Sequence, residues 1–532
     1  MRIQFTKEGH EHGSARVFCI QKIKFMSSKI FSAAIVGLGA EIIEVEAEIG
    51  GGELGSFAIV GLPDMAVSES RERVRSAVRN SQVEFPRIKV TVNLAPANLK
   101  KQGPNYDLPI AVSILLVSKK IPQSKILSSS LFIGKLALSG QVRPVQGILP
   151  ITLAARRQGF KTIFVPLANA PEAKLVRGID VRPVRNLTEL IDHLRNTKII
   201  PEYINCQQHE VTKPTQWNMS EIFGQEQVKR ALEIAAAGGH NILMSGVPGS
   251  GKTLLAQTMS SILPSLQFEE AIEITKIYSV AGRLTSHHSL IQERPFRSPH
   301  HSASATALVG GGSWPRPGEI SLAHRGVLFL DEFGEFSRSI LEHLRQPLED
   351  GHITISRAAG NLLFPAKFML VAAMNPCPCG YFGDSEKKCS CSMQQIINYK
   401  KRISGPILDR IDLHITVPRV PFSKLLHSRN IETSETIKTR VQSARNYQCK
   451  RFLSYDGVQT NSDMSSALVR QFCVLDTNSS QLMHEATNRL QLSTRAYFRV
   501  LKVARTIADL EASQVIDIKH VAEALQYRQS TE

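Results

Sequence analysis

Gly246-Val247-Pro248-Gly249-Ser250-Gly251-Lys252-Thr253 is the stretch on which the fold turns. It matches G-x-x-x-x-G-K-[ST], follows an apolar run at Asn241 to Met244 and opens a helix-forming run at Leu254 to Leu263. Strand, glycine loop and helix in that order specify a phosphate-binding α/β core. Side chains are sparse because backbone N–H groups must converge on an anion, and the helix N-terminus adds its partial positive charge. Gly246, Val247, Pro248, Gly249, Ser250 and Gly251 then form the cradle for ATP. Lys252 reaches the β and γ phosphates, and Thr253 offers a hydroxyl to Mg2+. An ordinary Gly/Ser turn before a helix would not require both flanks.

Working outward, Gly326-Val-Leu-Phe-Leu-Asp331-Glu332 reads as a buried strand ending in two carboxylates at the edge of a parallel sheet where ligands sit. Asp331 is expected to orient the magnesium, and Glu332 to act as general base on the attacking water. The next apolar run, Phe368 to Ala373, ends at Met374-Asn375-Pro376, which puts the Asn375 amide beside the lytic water or γ-phosphate. In Ile403 to Asp412, Arg410 is the candidate arginine finger for a neighbouring subunit, with Arg402 as the fallback. Each could equally make a structural ion pair. Leu492-Ser-Thr-Arg495 begins a helix whose Arg495, ahead of Arg499, is expected to touch the nucleotide from above.

A chain of 532 residues is too long for one ordinary core. Residues 1–26 lack the apolar centre of a secretory signal and read as a disordered or mis-annotated leader with Met26 as the start. Residues 27–195 alternate β-rich runs (Ile88 to Leu94, Leu131 to Leu138) with helical ones (Val67 to Arg79, Ile148 to Gln158), one α/β domain. Periodicity fades over 196–218, read as a linker. Residues 219–418 carry the phosphate-loop core, and 419–528 turn helical as a lid. The 64 Lys and Arg against 47 Asp and Glu leave a charge of +17, which suits a polyanionic partner. No apolar run reaches the ~18 residues a spanning helix needs, so a cytoplasmic protein with no membrane partner is expected.

Four of the eight cysteines cluster: Cys377-x-Cys379 and Cys389-x-Cys391. Four thiolates at that spacing suit a tetrahedral structural Zn2+; free thiols in a surface loop and a disulfide are the alternatives. Metal there would fix the loop that carries Asn375. His300-His301 has no third ligand spaced with it, which favours hydrogen bonding or pore contact over metal.

These motifs resemble the magnesium-chelatase-like AAA+ ATPases of the ComM (YifB) type. The likeness covers nearly everything after Met26. It is carried by Arg294-Pro-Phe-Arg-Ser-Pro-His-His301, Ala307 to Gly312, Pro315 to His324, Asn375-Pro-Cys-Pro-Cys-Gly380 and Leu492 to Tyr497. It implies a homo-hexameric ring in which Gly351 to Pro365 is a β-hairpin before the Asn375 strand, and His300 to Pro317 a second insert, both facing a pore that grips DNA. Thr354, Ser356, Arg357 and Asn361 are polar or basic enough to meet phosphates. The first domain resembles the Lon-protease fold, yet Asn105 stands where the nucleophilic serine would be and Ile151 where the lysine would be, which removes the dyad. The resemblance points to a branch-migration translocase or helicase acting in natural transformation or homologous recombination, with a recombinase as a further partner. The competing readings are a chelatase-type motor that remodels a protein for metal insertion, and a Lon-like peptidase.

Overall fold

The computed structural model describes residues 27–51, 53–101, 103–204, 217–284, 289–312, 315–357, 360–384, 386–420 and 432–528. The proposed leader 1–26 and start at Met26 lie outside them. Two α/β units and a helical unit follow one another, the α/β class that the strand and helix runs imply.

The first unit is built on a seven-stranded mixed sheet of β1 (Ser27–Val36), β2 (Gly39–Gly50), β3 (Phe57–Val60), β4 (Lys89–Ala95), β5 (Ser130–Phe132), β6 (Thr162–Pro166) and β7 (Asp180–Val184), in the order β3-β4-β2-β1-β5-β6-β7. β1 and β2 form an antiparallel hairpin, whereas β5, β6 and β7 run parallel. Helices α1 (Ser70–Asn80), α2 (Asp107–Val117) and α3 (Ile148–Arg157) cover it. α2 is buried on nearly every side, as its run Leu108 to Leu115, apolar but for Ser113, requires. The run Val67 to Arg79 is interrupted at Glu69, and Leu131 to Leu138 breaks after Phe132. The linker reading of 196–218 misses its first residues. Ile200 is buried in this unit's core and the Tyr203 N–H donates to Val181 O at 2.8 Å.

Asn105 stands in the short turn Pro104–Tyr106, and Ile151, like Leu149 beside it, is fully buried among apolar side chains. Neither position offers a nucleophile or a base.

The second unit has an all-parallel five-stranded sheet. Its strands are β8 (Ile242–Gly246), β9 (Phe296–Arg297), β10 (Val327–Leu330), β13 (Met369–Met374) and β14 (Leu413–Val417), ordered β9-β10-β13-β8-β14. β10 and β13 are buried throughout, because helices cover both faces of a parallel sheet. Between β10 and β13 stands the antiparallel hairpin β11 (His352–Arg357) and β12 (Gly360–Pro365). Ile353, Ile355 and Phe364 point into the core while Thr354, Ser356 and Asn361 face outward. The side chain of Arg357 lies outside the described residues.

Helices α4 (Glu226–Gly238) and α5 (Lys252–Ile262) pack on this sheet, while α6 (Phe268–Ala281) lies against α3 of the first unit. The C-terminal helices α7 (Ser434–Arg451), α8 (Thr477–Arg489), α9 (Thr494–Leu510) and α10 (Ile518–Gln526) share one continuous apolar core with α4, α5 and the sheet. No helix among the described residues is long and apolar enough to cross a membrane.

Candidate nucleotide site

The parallel sheet brings the carboxyl ends of β8, β10 and β13 side by side, and Lys252, Thr253, Asp331, Glu332 and Asn375 emerge there. Gly246 closes β8 where a Cβ would meet Val417 O at 2.5 Å, so only glycine fits. Gly249 (φ +77°) and Gly251 (φ +85°) take left-handed backbone with nothing within 4 Å of where a Cβ would stand. The result is an open concavity at the start of α5. The Ser250 hydroxyl is buried there and has no hydrogen-bond partner among the described residues.

Lys252 is 9% exposed. Its ammonium donates to Gly246 O at 2.7 Å, Val247 O at 3.0 Å and Asn375 Oδ1 at 3.3 Å. Burial pushes its pKa down, against the pull of Asp331. The Thr253 hydroxyl donates to Asp331 Oδ2 at 2.7 Å, while Asp331 Oδ1 accepts the Glu332 N–H at 2.9 Å. An open glycine cradle, an orphaned hydroxyl, a lysine and a hydroxyl–carboxylate pair fit a nucleoside triphosphate with Mg2+. Thr253 and Asp331 would hold the ion, which when bound offsets charge on the β and γ phosphates.

Glu332 carries φ +51°, and its Oε2 lies 2.9 Å from His301 Nδ1. The partnership comes from the sheet. β9 pairs in parallel with β10, Arg297 opposite Leu328, and both chains leave the sheet on the same side. The sequence reading missed His301 as a partner of Glu332, the expected general base; the Ser-Pro-His-His segment ending a strand next to the Asp-Glu strand was the available signal.

Arg410 and Arg495 stand elsewhere. Both line a cavity of about 520 Å³ between core and lid, together with Asn241, Met369 and Asp412 at the amino ends of β8, β13 and β14. A strand of β8's length separates that edge from the phosphate loop, about 17 Å at 3.3 Å per residue. Arg410 is nearly buried, donating to Pro406 O at 2.7 Å and to the Glu349 carboxylate. Arg495 is exposed, 3.8 Å from the same Glu349. Arg495 therefore does not touch the nucleotide site of its own chain, because α9 docks against the opposite end of the sheet. Arg499 is paired with Asp412 at 2.7 Å. The fallback, Arg402, pairs with Glu335 at 2.8 Å just beyond Glu332.

The four cysteine sulfurs all lie within 4.8 Å of one another. Backbone N–H groups point at them: Phe382 to Cys377 at 3.3 Å, Cys379 to Cys391 and Cys391 to Cys389 at 3.4 Å. The N–H groups of Tyr381 and Ser390 hold the Cys379 thiol down at about 5. His300, by contrast, bonds Ser302 Oγ at 2.7 Å and lies tilted against His301, with no third ligand among the described residues.

The family described as "Magnesium chelatase, subunit ChlI" matches residues 218–425, its C-terminal counterpart residues 431–528, and "Subunit ChlI of Mg-chelatase" residues 45–169. Competence protein ComM of Haemophilus influenzae is 42% identical over 503 residues, covering 94% of this chain and 97% of its own. The chain belongs to the magnesium-chelatase-like AAA+ family of the ComM and YifB type. YifB of Escherichia coli, within that family, is 43% identical over 506 residues, 94% of this chain and 97% of YifB. A Lon protease of Mycolicibacterium smegmatis is 25% identical over 169 residues, 30% of this chain and 21% of that protein. Membership in this ComM-type family carries ATPase activity as its general property.

Proposed function

We propose that the chain is an ATP-driven DNA motor, a branch-migration translocase or helicase working in natural transformation or homologous recombination. The observation that carries the reading is the convergence of Lys252, Thr253, Asp331, Glu332 and Asn375 on one sheet edge. That set binds, orients and hydrolyses. Lys252 and the loop N–H groups hold the phosphates, Thr253 and Asp331 orient the metal end, and Glu332 takes a proton from water at its carboxylate oxygen. Arg410 and Arg495, on the edge away from their own loop, serve the site of the next subunit in a homo-hexameric ring.

Three observations favour DNA as the partner. The net charge is +17. The hairpin of β11 and β12 presents Thr354, Ser356 and Asn361 outward. A relative matched along almost its whole length is named for competence. Zinc at the cysteine cluster, a recombinase partner and cytoplasmic location complete the reading.

The test is ATP hydrolysis with and without branched DNA, followed by strand-movement assays on native protein and Glu332→Gln. Branched DNA is expected to stimulate hydrolysis. Glu332→Gln should keep nucleotide binding and lose turnover by roughly 10²-fold or more. Hydrolysis indifferent to every DNA, with no strand movement, would overturn the motor reading in favour of a chelatase-type remodelling motor.

A further inference from the structure

Directly after Asn375 the chain folds into a compact knuckle that carries the four cysteines. Sulfurs of Cys377, Cys379 and Cys389 are 3.4, 3.7 and 3.5 Å apart. Four thiolates about 2.3 Å from a zinc ion would sit about 3.8 Å from one another, so the set is near the edge length of a zinc tetrahedron. Cys377 is fully buried, and the other three are partly open to solvent, an entry path for the ion.

The knuckle lies against the phosphate loop. Gly380, between the two cysteine pairs, has φ +84°, and a Cβ on it would lie 2.6 Å from Pro248 Cγ and 3.9 Å from Asn375 Cγ. Its N–H closes a turn onto Cys377 O at 3.0 Å, so its position depends on the cysteine fold. Pro248 is flanked by Val247, whose carbonyl accepts from Lys252, and Asn375 accepts from the same ammonium. On the far side, Asp384 and Glu386 of the knuckle pair with Arg419, just beyond β14. The loop is thus held between α5 and a wall that is itself too short to bury a core of its own, a situation in which metal binding supplies the folding energy.

We infer that the four cysteines bind one zinc ion whose role is to brace the phosphate loop through the Gly380–Pro248 contact, so that nucleotide affinity depends on metal at a site that never touches the nucleotide. This rests on the nucleotide-binding reading and extends it to regulation of the same site by metal supply.

The experiment uses the full-length protein purified without added metal. Zinc is measured by elemental analysis and nucleotide affinity with a fluorescent ATP analogue. One zinc per chain is expected. Stripping it with a chelator, or the Cys389→Ser/Cys391→Ser pair, should weaken analogue binding roughly tenfold or more, the scale of a supporting contact to a site, and zinc should restore the stripped protein. Cys449→Ser, a thiol on α7 outside the knuckle, should change neither quantity. Gly380→Ala, which drives a methyl into Pro248, should keep its zinc and still lose affinity. Substoichiometric zinc with four freely titrating thiols overturns the metal site. Full zinc with affinity indifferent to its removal overturns the brace. Where the stripped protein loses its circular dichroism, Gly380→Ala decides, and unchanged affinity at full zinc counts against the brace. Failure of the zinc-loaded protein to bind the analogue at all overturns the nucleotide reading instead, whatever the metal content.

Discussion

Glu332 occupies left-handed backbone that a non-glycine residue adopts at a cost of about 1 kcal/mol or more, and its carboxylate is held by His301. In this geometry the proposed general base is tethered to the first residues of the segment expected to face DNA. Both partners are part-exposed, 34% and 55%, so the tie is worth about 1 kcal/mol or less, a factor of up to about five. His301→Ala is therefore expected to raise DNA-independent hydrolysis by no more than about fivefold and to shrink the stimulation by branched DNA, with His301→Gln between the two. Steady-state ATPase at saturating ATP, with and without DNA, checks it; an unchanged stimulation ratio counts against the tether. The motif residues were legible because each sits within a local pattern of strand, loop and helix. His301 was not, because its partner is 31 positions away and only the pairing of β9 with β10 brings them together.

At the scale of elements, α6 is gripped from two sides. From the first unit, Glu172 reaches across to accept the Ser279 hydroxyl at 2.5 Å while accepting the Leu149 N–H at 2.8 Å. From the core, His324 and Arg325, just ahead of β10, meet Glu273 at 3.3 and 3.1 Å. The two carboxylates titrate in opposite senses. The hydrogen bond from His324 leads the causes that hold Glu273 down at about 2, so its stabilisation is complete above the unfolded value of about 4.5 and is lost as pH falls towards 2. Burial pushes Glu172 up, so its contribution is complete below about 4.5 and fades as pH rises through the raised value. Glu172→Gln keeps both acceptor contacts and removes the buried charge, and should flatten the decline in thermal stability between mildly acidic and alkaline pH. Glu172→Ala orphans the Leu149 N–H and should cost about 1–3 kcal/mol. Thermal melts across pH read both. Sequence periodicity could not show this joint, since Glu172 lies in an unremarkable Ala-Pro-Glu-Ala turn. Ile200 and Tyr203 were lost to the linker reading for a similar reason: the short apolar run Ile199 to Ile204, broken by Pro201 and Glu202, carries no period, yet both residues pack on the first unit.

For the whole molecule, the separation of Arg410 and Arg495 from Lys252 tests the proposed ring, in which both arginines act on the neighbouring subunit. In the isolated chain Arg410 spends its charge on Glu349, which is 53% exposed and so remains solvated if the arginine is removed. Arg410→Ala is expected to cost little stability, to leave binding of the ATP analogue intact and to abolish turnover, because in the proposed ring the loop it serves belongs to the next subunit. Lys252→Ala fails on its own side of the interface. A ring assembled from equal amounts of the two variants places an intact loop beside an intact arginine at about one interface in four, since each neighbour supplies the right half by chance in a head-to-tail ring. Mixing the two inactive proteins should thus restore roughly a quarter of the wild-type ATPase. The mixture is compared with each variant alone at the same total concentration. Mixed rings confirmed by mass that stay inactive would show that Arg410 acts within its own chain, contrary to the position it holds at the far edge of the sheet.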